Sequence, residues 1–149
     1  MSKTRYFLYR VSQDKNHANI FPYVGVVADF QRKEIIRSNK KYIVSKMEVQ
    51  HITSEAIVQK CYFELPVDFD LDKLQVLKDA SVECTFHFDI HTRSYGQTRA
   101  NFLHCLAIIP HDHRYRGCEQ RISEVTYRTV LKGYEKDVDE NGYRYPYDY

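Results

Sequence analysis

A chain of 149 residues, 43% hydrophobic and 28% charged, has the size and composition of one ordinary folded domain. It can bury roughly two-thirds of its unfolded surface without metal or disulfide staples. No apolar run reaches the roughly 18 residues that cross a membrane, and the charged start MSKTRYFLYR lacks a signal core, so a cytoplasmic protein is expected.

In chain order, TRYFLYRV (4–11) reads as a strand followed by the polar loop SQDKNHAN. FPYVGVVADF (21–30) reads as a second strand, with Gly25 as a bulge or a point of close backbone approach. Two β-branched segments then flank RSNKK (37–41), whose Ser-Asn centre is turn chemistry, so a hairpin is predicted. AIVQKCYFEL (56–65) is a further strand, stopped by Pro66. DFDLDKLQVLKDA (68–80) predicts a helix near 70–80: Asp68 or Asp70 can cap it, and Leu71, Leu74 and Leu77 recur at helical spacing.

Two long apolar runs (81–92 and 98–110) enclose HTRSYGQTRAN. Placing the turn at Tyr95-Gly96 sets Ser94 opposite Gln97, Phe88 opposite Leu103, His87 opposite His104 and Phe86 opposite Cys105. A last strand is predicted from about Val125, where β-branched and aromatic residues alternate. Residues 135–149 read as a flexible, tyrosine-rich tail behind a single β-rich domain spanning 1–134. About seven strands, one short helix and no internal repeat predict a mainly antiparallel barrel or sandwich, an OB-like barrel among the possibilities.

The four cysteines form no CxxC pair, and three lie inside apolar runs, so buried reduced thiols are expected rather than a disulfide framework. In the predicted hairpin, His87, Asp89 and His91 share the face opposite Phe86 and Phe88, with His104 across from them. Successive side chains on one strand face stand about 7 Å apart, so these four converge on a cation only if the strand twists strongly. They are weak metal candidates beside the reading of a partner-facing strand. HDHRYRGC (111–118) has no standard zinc spacing. His51-Ile52-Thr53 is half of a two-histidine phosphoesterase signature, and the second half is absent. No Gly-rich phosphate loop or nucleophile elbow occurs either, so neither a catalytic residue nor a cofactor is predicted.

The feature left over is where the cations and tyrosines fall. The net charge of +2 divides into −3 on residues 135–149 and +5 on the body. Three turn-like stretches each pair cations with a tyrosine: Lys40, Lys41 and Tyr42; Arg93, Tyr95, Gln97 and Arg99; and Arg114, Tyr115 and Arg116. Cations neutralise phosphates while rings stack on unpaired bases, and Gln97 can hydrogen-bond a base edge or sugar.

An acidic, aromatic-ended tail behind a basic β body resembles in arrangement the phage and bacterial single-strand-binding proteins. That resemblance implies a tail that recruits protein partners. The first expectation is therefore a small accessory protein, of the kind a phage or mobile element carries, that binds single-stranded nucleic acid through these three tips; whether the tips share one side of the fold is left open by the sequence. The second is a protein-interaction, inhibitor or virion module using the Tyr- and His-rich strand face. The third is a histidine-dependent phosphodiesterase. The oligomeric state is left open.

Overall fold

The structure is a computed structural model that describes residues 20–37, 39–95, 98–123 and 125–127; for 37, 40, 42, 91–95 and 98–102 it describes the backbone alone. The strand predicted over 4–11 and the tail over 135–149 lie outside the described residues.

Strand β1 (Phe21–Arg37) runs for 17 residues and serves two partners in succession. Phe21–Gly25 pairs antiparallel with β4 (Cys84–Tyr95), and Val26–Arg37 pairs antiparallel with β2 (Lys40–Ile52). The hand-over needs a sharp corner. Gly25 supplies it: a Cβ there would meet the Gln50 carbonyl oxygen at 2.6 Å and Val49 Cγ1 at 2.7 Å. A register shift between Val27 and Asp29 adds further twist just beyond the corner.

β2 pairs with β3 (Val58–Glu64), β4 pairs with β5 (Thr98–Pro110), and a parallel bridge from Glu64 to His104 joins β3 to β5. The five strands thus close in the order β1-β2-β3-β5-β4-β1. With a helix inserted between the third and fourth strands, the barrel is OB-like, as the sequence allowed.

That helix, α1 (Leu71–Asp79), starts at Asp70, whose carboxylate accepts from the Asp72 backbone N–H at 2.8 Å. Its buried Leu74 and Leu77 meet Phe69 and Val82 in the core. Alternation on the strands sends Met47, Val49, Phe63, Phe86 and Cys105 inward, all fully buried. Phe63 stacks on Phe86 with centroids 6.0 Å apart, and Tyr23 meets Phe63 edge-on. The four cysteines are unbonded, two buried and two partly so. Burial pushes the Cys84 thiol up to about 12 and the Cys105 thiol higher still, so both behave as small hydrophobes.

Two sequence expectations need correction. The β4–β5 register is displaced by two residues: Tyr95 pairs with Thr98, Asp89 with His104 and Phe88 with Cys105. A bulge then leaves Leu106 as an extra residue, so that His87 faces Ala107 and Phe86 faces Ile108. The strand expected from Val125 is a helical turn over Val125–Tyr127. Ser123 starts it by accepting the Thr126 backbone N–H on its hydroxyl at 3.1 Å, a local capping bond that outweighs β-branched propensity.

The Gly25 corner makes one direct prediction. Gly25→Ala forces either a backbone carbonyl or Val49 to move, and should cost about 1–3 kcal/mol in urea unfolding. Unchanged stability would show that the close approach is not what holds the corner.

Candidate nucleic-acid interface

Both long hairpins outrun the barrel. Pairing between β2 and β3 reaches Lys46–Glu64, and beyond it Lys33–Arg37 and Lys40–Val44 form a two-stranded arm. Among the described residues, pairing between β1 and β4 reaches Phe21–Phe88; beyond it Asp89–Tyr95 and Thr98–His104 pair with each other, and past the buried Asp89 and His104 they form a second arm.

The arms meet the barrel along one row of neighbours, Lys46 on β2, Glu64 on β3 and His104 on β5. β5 is parallel to β3 and β2 antiparallel to it, so the arms leave this row in opposite directions along β3. The outward face of β2 and β3 runs from this row in the direction the second arm takes, and the first arm leaves the row the opposite way. In OB-fold barrels this face and the β1–β2 and β4–β5 loops bind oligonucleotides and oligosaccharides.

The face is built by simple alternation. With Met47, Val49 and Phe63 turned inward, the outward positions are Lys46, Glu48 and Gln50 on β2 and Lys60 and Tyr62 on β3, while Glu64 is buried at the row where β3 meets β5. Glu48 stands directly across from Tyr62, and Gln50 across from Lys60. The Tyr62 side chain is 47% exposed, and the Lys46 ammonium lies 6.0 Å from its ring centroid. Glu48 accepts the Gln50 amide at 3.1 Å, and its carboxylate, across from Tyr62, raises the Tyr62 pKa.

The contacts predicted from sequence do not include Tyr62. The signal was present. VQKCYFE alternates Lys60, Tyr62 and Glu64 with Cys61 and Phe63, a period of two that marks one face outward.

The predicted contact residues divide three ways. Lys40, Lys41 and Tyr42 lie on the first arm, where exposed Lys41 forms an ion pair with Glu34 at 3.1 Å. Arg93, Tyr95 and Arg99 lie on the second arm by backbone position, while Gln97 lies outside the described residues.

Arg114, Tyr115 and Arg116 form no such tip. They sit in a 3-10 helix (His113–Cys118) just past Pro110, which pairs with Cys84 at the start of β4. From there to Tyr95 is roughly 35 Å of strand at about 3.3 Å per residue. Arg114 is bound to Asp112 through hydrogen bonds of 2.9 and 3.2 Å, which hold the Asp112 carboxyl below its usual range. Arg116 donates to His113 Nδ1 at 2.7 Å, and Tyr115 packs against the core. The three tips therefore do not share one side, and the third has its groups engaged.

The histidine face is also not the platform expected. Asp89 is fully buried and His104 nearly so. After the 3-10 helix the chain returns as β6 (Gln120–Arg121) beside Ala107 and Ile108. It then lays Ile122 and Tyr127 into the core, and the Tyr127 hydroxyl donates to Asp89 Oδ2 at 2.6 Å. Among the described residues no three His, Cys, Asp or Glu side chains are grouped to hold a metal.

His51 packs its ring edge-on to Tyr23 at 6.4 Å. His111 bridges Glu83 at 2.8 Å and Thr85 at 2.7 Å. A hydroxyl–imidazole–carboxylate chain can activate a hydroxyl. Here, with the His111 and Glu83 side chains 40% and 62% exposed, it ties the turn after β5 to the start of β4. No described helix is long and apolar enough to cross a membrane.

Neither protein-family models nor curated protein sequences match the chain, so geometry alone carries the functional reading.

The covered histidine face makes two predictions. Tyr127→Phe removes a donor from a buried acid and should destabilise by about 1–3 kcal/mol in urea unfolding; full native stability would mean Tyr127 does not clamp the segment. His87 is held below its ordinary pKa of about 6.5, first by burial and then by the Arg121 charge. The unfolded chain therefore takes up a proton first as pH falls. The His87 contribution is complete above about 6.5 and shrinks as pH drops from there toward the folded value. A His87→Gln variant should lose less stability than the native chain over that interval, and parallel curves would contradict the assignment.

Proposed function

We propose that the protein binds single-stranded nucleic acid across the outward β2–β3 face and onto the two hairpin arms. The observation that carries this reading is Tyr62: an exposed ring in the middle of that face, with a lysine ammonium beside it and a second lysine two residues along β3. A ring on an outward strand position offers a surface on which an unpaired base stacks, and Lys46 and Lys60 supply charge for the flanking phosphates. The arms extend the track, one through Lys40, Lys41 and Tyr42, the other through Arg93, Tyr95 and Arg99. The face also carries Glu48, so the strand meets it through bases as much as through phosphates.

A labelled oligonucleotide titrated at low and high salt tests the reading by anisotropy. Affinity should fall steeply with salt. Tyr62→Ala should weaken binding by about 5- to 100-fold, the range of a single base stack. Arg93→Ala with Arg99→Ala should weaken it and flatten the salt dependence, by roughly 0.7 in log–log slope for each phosphate that is no longer neutralised. Arg114→Ala with Arg116→Ala should leave it nearly unchanged. No binding at low salt overturns the proposal.

A further inference from the structure

The acidic group in the middle of a face read as binding a polyanion calls for an explanation. Glu48 lies between Lys46 and Gln50 on β2 and directly across from Tyr62. It is half-buried, so its carboxylate has limited freedom to swing into solvent when a strand arrives. Gln50 occupies Oε2 at 3.1 Å. That bond holds the carboxylate on the face, directly across the strand pair from Tyr62.

A carboxylate offers two oxygens and about four acceptor positions, so it can take a further donor without giving up the Gln50 bond. Facing a phosphate it would repel; facing a base amino group it accepts a charge-assisted hydrogen bond. A base stacked on Tyr62 places its edge toward the residues that surround the ring.

Resting on the proposed function above, we infer that Glu48 reads the edge of the base stacked on Tyr62 and selects one that carries an amino group, cytosine over thymine. Cytosine presents its N4 amino group as a donor, the contact that carboxylates make with this base. Thymine presents carbonyl oxygens on either side of a single N3–H, and those oxygens face the carboxylate unfavourably. The two pyrimidines are alike in size and stack alike, so a difference between them isolates the edge contact from stacking.

Gln50 positions Glu48 rather than touching the base. Its removal should weaken the preference without reversing it.

The experiment compares oligo(dC) with oligo(dT) of equal length by anisotropy at one low salt concentration, for the native protein, Glu48→Gln and Tyr62→Phe. The native protein should bind oligo(dC) about tenfold more tightly, within the range one specific base contact provides. Glu48→Gln removes a negative charge, so it should raise affinity for oligo(dT), and the ratio should fall to near one. Tyr62→Phe keeps the ring and should keep the preference. Equal native affinities, or a preference that survives Glu48→Gln, overturn the inference while leaving the proposed function standing. Failure of both oligonucleotides to bind overturns the two together. Circular dichroism of Glu48→Gln matching the native spectrum confirms that a changed ratio comes from a folded protein.

Discussion

The architecture depends on one strand pairing with two others. β1 gives its first five residues to β4 and the rest to β2, and the barrel closes only because the chain can turn between those partners. Gly25 permits the turn by letting the Gln50 carbonyl approach where any side chain would stand. Once the corner is made, strand order follows: β2 and β3 continue from one side of β1, β4 and β5 from the other, and Glu64 meets His104 where they close. α1 contributes Leu74 and Leu77 to the core that this closure encloses.

The same geometry distributes the surface. Residues turned inward on β2 and β3 are apolar and fully buried, so their neighbours are turned outward as a polar and aromatic face. Hairpins longer than the barrel become arms, and the closing row sends them opposite ways. β4 and β5 have no comparable free face at Asp89 and His104, because the returning chain covers them through Ile122 and Tyr127. Among the described residues, one side of the barrel is thus left open and another is sealed by the protein itself. That difference, more than net charge, directs the functional reading toward Tyr62.

Much of this was legible in the residues, and the failures have physical causes. The Leu71, Leu74 and Leu77 spacing and the capping aspartate marked the helix, and the alternating apolar runs marked the described strands. The β4–β5 register slipped because Gly96 suits either central position of a two-residue turn, so sequence alone does not choose between two placements, and the bulge at Leu106 leaves no local signature. A strand is expected from about Val125 because β-branched and aromatic residues alternate there, but the Ser123 hydroxyl caps a helical turn. Arg114, Tyr115 and Arg116 looked like a basic tip because sequence shows cations but not their partners; Asp112 and His113 already hold the two arginines. Tyr62 was hidden for the opposite reason, since a tyrosine between Cys61 and Phe63 reads as core until alternation is applied strictly. Burial of Asp89 depends on Tyr127, 38 residues away in the chain, and no local pattern encodes it.

The central claim is a location: a single strand lies on the β2–β3 face and reaches the arms. The most direct measurement is an amide NMR spectrum of the isotopically labelled protein, titrated with a short single-stranded oligonucleotide at low salt. The account predicts that the largest shifts map to Lys46, Glu48, Lys60 and Tyr62 and to the arms bearing Lys41 and Arg93, while residues 111–118 and the segment around Tyr127 stay nearly still. Shifts concentrated on the 3-10 helix, or no shifts anywhere, would contradict it.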